Sequence, residues 1–296
     1  MRIVIGGASG LIGTALGGSL ESDGHEVVRL VRRPARGPGE AEWDPLAGSL
    51  DPAVLDGADA VVNLSGASLG KLPWTPSYQS TILWSRLSAT RTLVDAMHRA
   101  DQPPAAFLSG SAVGYYGDRP GETLTEESTR GSGFLADVVV AWEESALAAP
   151  ESVRTVLLRN GIVVDLDGVL KPLAPLTRFG LAGPLGTGRQ YWPWIGLADE
   201  VRAITHLVTS SLSGPVNLCG PQAARADDLM FELARRMNRP YLLRAPKFAL
   251  KALLGDAADG LLLSDQRVEP RKLLQDGFTF NTPTVEDALA EALARS

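Results

Sequence analysis

The sequence predicts an α/β protein built on a doubly wound parallel sheet. Apolar, β-branched segments recur along the chain, and segments of helical periodicity fill most of the gaps between them. The apolar segments lack polar alternation, as strands do when both faces of a parallel sheet are buried. The first strand runs directly into a glycine turn and a helix, which is how such a sheet begins.

The predicted elements follow one another in a regular order. Six strands are predicted at residues 2–5, 25–32, 59–64, 104–109, 153–158 and 214–219. Helices are predicted from the glycine turn to about Gly24 and over residues 76–100, 133–148 and 199–211. A Gly- and Pro-rich stretch, residues 165–195, breaks the pattern and is expected to be a lid-like loop over the sheet edge.

Two units of unequal size are expected. Residues 1–235 form the larger, sheet-containing unit, and residues 236–296 form a small, mainly helical unit. The chain closes with "TPTVEDALAEALARS", in which a threonine is expected to cap the last helix.

Composition and charge exclude several classes of protein. The 296 residues carry a net charge of −6 with a pI near 5.2, which gives no electrostatic reason to expect nucleic acid or an anionic membrane as a partner. The chain shows neither a signal peptide nor an apolar run near the roughly 18 residues of a membrane helix, so a cytoplasmic protein is expected. A single cysteine, Cys219, excludes an internal disulfide, and no Cys/His cluster has metal-ligand spacing. The sequence leaves the oligomeric state open.

The glycine turn "GGASGLIG" has the pattern of a dinucleotide site. Its glycines stand at GxxGxxG spacing where the first helix begins. Glycine is needed there because the turn is tight, the backbone approaches a pyrophosphate and the helix packs closely on the strand. Free N–H groups at the helix N-terminus then bind the phosphates. A purely structural turn is the alternative. Cofactor contacts are expected at Gly7, Ser9, Gly10, Leu11, Ile12 and Gly13.

The second strand ends in "RLVRRPAR", which favours NADP(H). NAD-binding sheets usually place an acidic residue at this end to bind the ribose hydroxyls. Here Val31 holds that position, and Arg32 and Arg33 follow it. Arginine pairs bidentately with a 2′-phosphate, which a carboxylate would repel. A solvated basic loop is the alternative. NADP is therefore the expected cofactor, with Arg32 and Arg33 at its 2′-phosphate.

Three long motifs carry a family resemblance: "SGSAVGYYGD" at 109–118, "WSRLSAT" at 84–90 and "GPLGTGRQYWPWI" at 183–195. With these motifs the chain resembles the extended short-chain dehydrogenase/reductase superfamily, and more narrowly its atypical, sugar-epimerase-like branch. The resemblance covers nearly the whole chain. It implies a Rossmann-type NAD(P) domain with the substrate between the sheet's C-terminal edge and the small helical unit, but no known reaction. Further cofactor contacts are expected at Leu64, Ser65, Gly66, Arg86 and Ser109.

Catalysis in that superfamily uses a Ser or Thr with a Tyr-x-x-x-Lys pair. None of the five tyrosines here has a lysine four residues later, and the relevant helix has Val139 and Val140 at the lysine positions. The resemblance places Ser111 near the superfamily serine, and Tyr115 and Tyr116 follow on the next loop. Ser111, Tyr116 and Tyr115 are therefore the candidate catalytic residues. The alternatives are a structural hydroxyl that caps the strand end for Ser111, and packing in the loop or substrate contact without chemistry for the tyrosines.

The missing lysine affects the expected chemistry. A tyrosine with no cation beside it keeps a pKa of about 10, so it is a competent acid and a poor base at neutral pH. Reduction of a carbonyl or alkene is then favoured over alcohol oxidation. Two functions remain open: an NADP(H)-dependent oxidoreductase or epimerase acting on a small polar molecule, and a catalytically degenerate NADP(H)-binding module for redox sensing or interaction.

Three further residues carry predictions. Arg189, in the "GRQYWPW" loop, is expected to hold an anionic group of the substrate, with a surface arginine as the alternative, and Trp194 is expected near the substrate. Related sequences often continue with a His and paired Asp after this loop. Here only Asp199 remains, and it is expected to cap the next helix.

Overall fold

A computed structural model of the chain describes residues 1–294. Its strands, in chain order, are β1 Arg2–Gly6, β2 Glu26–Val31, β3 Glu40–Asp44, β4 Ser49–Leu50, β5 Ala60–Asn63, β6 Ala106–Ala112, β7 Thr123–Leu124, β8 Arg154–Asn160, β9 Ile162–Val164, β10 Tyr191–Trp192, β11 Trp194–Gly196, β12 Gly214–Leu218, β13 Ala224–Arg225 and β14 Arg267–Val268. Its helices are α1 Leu11–Ser22, α2 Pro76–Arg99, α3 Phe134–Leu147, α4 Leu170–Arg178, α5 Leu197–Thr209, α6 Ala226–Arg236, α7 Lys247–Leu254, α8 Asp256–Ala258, α9 Arg271–Gln275 and α10 Val285–Ala294.

An eight-stranded sheet forms the centre of the molecule, in the order β12-β8-β6-β5-β1-β2-β3-β4. All neighbouring strands are parallel except the short β3–β4 pair. The order reverses at β1, as in a doubly wound Rossmann sheet. The predicted fold class is therefore confirmed, and each of the six predicted strands is present. The sequence prediction missed β3 and β4, which extend the sheet beyond β2.

Helices cover both faces of the sheet and bury an apolar layer on each. One core joins Leu16 and Leu20 of α1 and Ile204 and Leu207 of α5 to one face of the central strands. A second core places Leu93 and other residues of α2 against the opposite face. Along residues 1–294, no helix is long and apolar enough to cross a membrane.

The stretch 165–195 is not a continuous loop, as its composition had suggested. It contains α4, whose Leu170, Leu173, Ala174 and Thr177 are buried at helical spacing. Two short strands, β10 and β11, follow within or at the end of the stretch. Because the segment is rich in glycine and proline, its composition did not predict this helix of nine residues.

The C-terminal part of the chain packs onto the sheet-containing unit. Val285, Ala288 and Leu289 of α10 share a core with Leu229 and Leu233 of α6. The cap of α10 was correctly predicted, because Thr284 Oγ1 accepts a hydrogen bond of 3.2 Å from the Asp287 N–H.

Asp199 does not cap a helix, so that prediction was wrong. It lies inside the first turn of α5 and is fully buried. Its carboxylate accepts bonds from the N–H and hydroxyl of Thr282 at 2.8 and 2.6 Å and from the N–H of Asn281 at 2.9 Å. Arg202 donates to the same carboxylate at 2.7 Å. Asp199 therefore anchors the segment that leads into α10.

The next residue, Glu200, is an unusual buried acid. Its side chain is fully buried, and neither carboxyl oxygen has a hydrogen-bond partner in the described part of the chain. Burial in these apolar surroundings raises the pKa of Glu200 to about 8, because the charged form loses its hydration. The carboxyl is therefore mostly protonated at neutral pH.

Replacing Glu200 with Gln should remove a pH dependence of stability. Between the unfolded pKa of 4.5 and the folded value of about 8, the folded chain retains a proton that the unfolded chain releases. The parent's free energy of unfolding should therefore fall as pH rises through this window and level off above it. Urea unfolding at several pH values should show a flatter profile for Glu200→Gln. The exposed Glu144→Gln is the control, and parallel profiles for the parent and Glu200→Gln would contradict the assignment.

Candidate cofactor and substrate site

The C-terminal edge of the sheet is where a doubly wound fold binds its ligands, at the point where strand order reverses. In this protein that point lies at the end of β1, between β5 and β2. The glycine turn, the loop after β5 and the basic residues after β2 all come to this edge. Their local geometry decides whether a dinucleotide fits.

Two of the three glycines are required by the fold itself. Gly7 has a φ of 78°, and a Cβ there would lie 2.6 Å from the Leu64 backbone. A Cβ on Gly13 would lie 2.3 Å from the Gly7 carbonyl oxygen. Gly10 differs, since its φ is −78° and an added Cβ would meet only the Gly7 oxygen, at 3.4 Å. Neither packing nor backbone conformation therefore requires glycine at position 10.

The polar groups beside Gly10 suit a pyrophosphate. Gly10 is the N-cap of α1, no side chain caps it, and the first turn contains no acidic residue. The first intrahelical bond runs from Thr14 N–H to Gly10, so the preceding N–H groups have no helical acceptor. The buried Ser65 hydroxyl also lacks a partner in the described chain. This donor-rich, uncapped helix start fits an anionic dinucleotide.

The two arginines after β2 differ in their contacts. Arg33 forms a bidentate pair with Glu40, with N···O distances of 2.7 and 2.6 Å. This pairing, with the Arg36 N–H, lowers the pKa of Glu40 to about 2. Arg32 is exposed, and its side chain has no hydrogen bond or ion pair within residues 1–294. The structure therefore neutralises the nearby carboxylate with Arg33 and leaves Arg32 available for a phosphate.

Arg86 lies beside the loop that follows β5. A Cβ on Gly66 would be 3.1 Å from the centre of its guanidinium. Arg86 donates to the carbonyl oxygens of Ile82 and Ala67 at 2.9 and 3.2 Å, and it stands 5.2 Å from the Trp142 ring. It forms no ion pair with a described carboxylate, and burial lowers its pKa to about 10. Arg86 is thus a cation without a carboxylate partner at the predicted cofactor edge.

Ser111 and Tyr116 belong to one buried hydrogen-bond network that the sequence did not reveal. The Ser111 hydroxyl donates to Glu143 on α3 at 2.5 Å. Arg159 on β8 holds the same carboxylate through bonds of 2.8 and 2.9 Å, and it donates to the Tyr116 hydroxyl at 3.0 Å. Tyr116 in turn donates to Asn217 on β12 at 2.6 Å. The network joins three neighbouring strands, β6, β8 and β12, to α3 and to the loop after β6.

Tyr116 therefore has a neighbouring cation after all, which corrects the expectation drawn from the missing lysine. Arg159 favours the phenolate, but full burial of the ring outweighs it and raises the pKa of Tyr116 to about 12. The Tyr116 hydroxyl therefore stays protonated at neutral pH and donates its hydrogen bond to the side-chain oxygen of Asn217. Tyr115 is half-buried, and its ring lies 3.6 Å from the Arg159 guanidinium. Both tyrosines thus help to hold Arg159 in place.

A cavity of about 380 Å³ opens between the sheet edge and the C-terminal part of the chain. One side is formed by the loop after β6 and the start of α3, and the other by residues 256–266. Three carboxylates and two aromatic rings contribute to the wall, and no lysine or arginine does. The lining residues are Trp74, Gly114, Gly117, Asp118, Ser132, Gly133, Phe134, Leu135, Ala136, Asp256, Asp259, Gly260, Ser264 and Gln266.

The remaining predicted residues fall in different places. Ser9 is exposed in the glycine turn, and Leu11 and Ile12 are half-buried in the first turn of α1. Ser109 is fully buried inside β6. Arg189 is exposed, whereas Trp194 is buried in the core with its Nε1–H donating to the Gln222 carbonyl oxygen at 2.9 Å. Such burial does not favour a substrate contact for Trp194.

Sequence reasoning missed Arg159 and Glu143. A signal was present, because "RTVLLRN" places an arginine at the end of a buried strand, and a buried arginine needs an anionic partner. Within the described residues, no group of three His, Cys, Asp or Glu side chains could hold a metal ion.

Comparison with known proteins identifies the family. Residues 3–140 match the NAD dependent epimerase/dehydratase family, and residues 245–292 match a domain of unknown function, DUF1731. An epimerase family protein of Mycobacterium bovis is 40% identical over 99% of this chain and 98% of its own length. The human epimerase family protein SDR39U1 is 34% identical over 99% of this chain and 100% of its own length.

Structural comparison agrees with the sequence matches. A crystal structure of the human protein, isoform 2, with NADPH superposes with a TM-score of 0.92 at 32% identity, covering 100% of both chains. The cofactor in that structure is the one expected here from the residues after β2. With an NAD dependent epimerase/dehydratase region followed by a DUF1731 segment, the chain belongs to the epimerase family that includes SDR39U1.

Proposed function

We propose that this protein binds NADPH at the sheet edge and reduces a small polar molecule in the adjoining cavity. The observation that carries the proposal is the geometry at Gly10, where the fold tolerates a side chain but the sequence has none. The uncapped start of α1 holds the pyrophosphate, and the free Arg32 pairs with the 2′-phosphate. The NADPH bound to the human relative supports the same cofactor.

The cavity wall indicates the class of substrate. A nucleoside diphosphate needs cations to balance its phosphates. The cavity offers Asp118, Asp256 and Asp259 instead, and among residues 1–294 only Asp259 has a cationic partner, Lys251 at 2.6 Å. Asp118 and Asp256 each accept one hydrogen bond from a neutral donor, the Asp265 N–H at 2.8 Å and the Gln79 amide at 3.0 Å. The substrate is therefore a phosphate-free molecule, neutral or cationic, with hydroxyl or amine groups that bond to carboxylates. Trp74 and Phe134 supply the apolar surface for its carbon skeleton.

Ser111 is the residue proposed to act on the substrate oxygen. Bound NADPH supplies a hydride, and the reduced oxygen takes one proton, so that a carbonyl becomes an alcohol. Ser111 is 2% exposed and does not line the cavity, so the proposal requires its hydroxyl, which has one proton and two lone pairs, to turn from Glu143 toward the bound substrate. After Ser111 gives its proton to the substrate oxygen, its alkoxide takes a proton from water. The restored hydroxyl then donates again to Glu143, which Arg159 holds through two hydrogen bonds. Tyr116 holds Arg159 in position from the other side.

The hydrogen bonds within the same network also support a second candidate function, NADPH binding without catalysis. Both predicted catalytic hydroxyls donate to internal acceptors, Ser111 to Glu143 and Tyr116 to Asn217. A protein that binds NADPH without using it would tolerate such internal pairing. A catalytically degenerate redox-sensing or interaction module is therefore the alternative proposal.

Replacing Arg32 with Ala should weaken NADPH binding about tenfold or more and leave NADH binding nearly unchanged. The reason is the loss of a charge-assisted bond to the 2′-phosphate, worth about 1.5 to 3 kcal/mol. Titration of both cofactors by fluorescence measures the two dissociation constants. Arg91→Ala, at an exposed position on α2, is the control. An equal loss for NADPH and NADH would contradict the role of Arg32.

Replacing Gly10 with Val should abolish NADPH binding while the protein stays folded. The new Cβ meets only the Gly7 oxygen, at an ordinary contact distance of 3.4 Å, and the side chain is proposed to occupy the space of the pyrophosphate. Gly18→Val is a matched control, because Gly18 lies exposed in α1 with nothing within 4 Å of an added Cβ. Thermal unfolding and NADPH titration of both variants separate binding from stability. Unaltered NADPH affinity in Gly10→Val would refute the proposed cofactor site.

Ser111→Ala should lower kcat about tenfold or more while NADPH affinity changes less than about threefold, a difference under roughly 0.7 kcal/mol. NADPH oxidation with a panel of neutral and amine-bearing carbonyl compounds is the assay. Tyr116→Phe should also lower kcat, through displacement of Arg159. Ser145→Ala is the control, since Ser145 is a buried serine of α3 bonded only to the Ala141 carbonyl oxygen. If Ser111→Ala and Tyr116→Phe both have the same kcat as the parent protein, this part of the proposal is contradicted.

A further inference from the structure

Two segments that are far apart in sequence form one surface, here called the basic apolar face and defined as residues 171–181 and 239–254. Leu242 and Leu243 donate their N–H groups to the carbonyl oxygen of Ala182, at 3.0 and 3.1 Å. Tyr241 pairs with Ala182, and Leu185 pairs with Ala245, in isolated parallel bridges. The end of α4 and the chain leading into α7 therefore lie side by side.

The basic apolar face exposes many large apolar side chains. Fourteen such side chains are exposed within residues 1–294, and seven of them belong to this face. Phe179 and Leu242 are each 80% exposed, and Phe248 and Leu253 of α7 are each 76% exposed. Phe248 stands almost opposite Leu250, the buried residue of the same helix. Exposed apolar side chains concentrated in two adjoining segments are typical of an interaction surface.

The charge of the face is opposite to that of the whole chain. The two segments contain six of the 28 basic residues and none of the 34 acidic ones, in a protein of net charge −6. Lys171 and Lys251 pair with Asp167 and Asp259. The four arginine and lysine side chains that form no ion pair with a described carboxylate are Arg178, Arg239, Arg244 and Lys247.

We propose that the basic apolar face binds the surface of an anionic lipid bilayer. Exposed Phe and Leu insert at the boundary between headgroups and acyl chains, and surrounding Lys and Arg attract anionic headgroups. Since α7 has only eight residues, it lies on the membrane and does not cross it. The average charge of the chain predicted no such attraction because it hides this local excess of cations.

A second copy of the chain is a poorer occupant of the same face. A two-fold dimer places the same patch of both subunits against each other. The four basic residues without a carboxylate partner would then oppose four identical ones, and neither face contributes an acidic residue of its own. Like charges at a desolvated contact are unfavourable, whereas a bilayer with anionic lipids is complementary.

Vesicle sedimentation of the full chain tests the proposal. The parent should sediment with phosphatidylcholine vesicles that contain about 30% phosphatidylglycerol and stay in solution with phosphatidylcholine alone, and binding should weaken at about 0.5 M salt. A triple variant, Phe179→Ser with Leu242→Ser and Phe248→Ser, should lose at least tenfold in partitioning. So should Arg178→Gln with Arg244→Gln and Lys247→Gln, because each basic residue contributes about fivefold.

A matched control removes exposed leucines elsewhere: Leu46→Ser, Leu147→Ser and Leu274→Ser together should bind vesicles like the parent. NADPH affinity close to that of the parent verifies that each variant is folded. Equal binding to neutral and anionic vesicles, no binding at all, or unaltered binding in both face variants would overturn the proposal. If instead the parent is a dimer that binds no vesicles, and the triple variant that includes Phe248→Ser is a monomer, the face binds a second copy of the chain.

Discussion

The buried ion pair between Arg159 and Glu143 holds the candidate site together. It joins β8 to α3 and carries Ser111 of β6, Tyr116 of the loop after β6 and Asn217 of β12 as hydrogen-bond partners. Removing one partner of such a pair leaves a charge in a dry interior, which typically costs about 3 to 5 kcal/mol. The positions of the three polar side chains around the pair therefore depend on it.

The same edge of the sheet connects the cofactor residues to the C-terminal part of the chain. Gly10 and Arg32 stand at the ends of β1 and β2, whereas the cavity begins beyond β6 and is closed by residues 256–266. Asp199 binds the backbone at Thr282 and so ties the C-terminal segment to α5. The cavity thus depends on contacts between regions that the sequence predicted as two units.

Local signals predicted the sheet, the glycine turn and the basic end of β2, because each depends on residues close together in sequence. The role of Arg159 could not be predicted in this way, because residues 143, 116 and 217 come close to it only when the chain folds. Its contact with Tyr116 also has no counterpart in sequence spacing, since Arg159 lies 43 residues from Tyr116. Helix α4 and the basic apolar face were missed for a related reason, because composition averaged over a segment or a whole chain conceals where individual side chains point.

The central claim is that this protein passes a hydride from NADPH to a small molecule. The most direct measurement uses NADPH with deuterium at both hydrogen positions of nicotinamide C4. The labelled cofactor is mixed with the protein and a phosphate-free fraction of small metabolites, and the products are analysed by mass spectrometry. The account predicts one product heavier by a single deuterium with the parent protein and none with a variant that cannot bind NADPH. If the parent binds the labelled cofactor and no metabolite gains deuterium, the claim of a reductase is contradicted and the binding module is the better description.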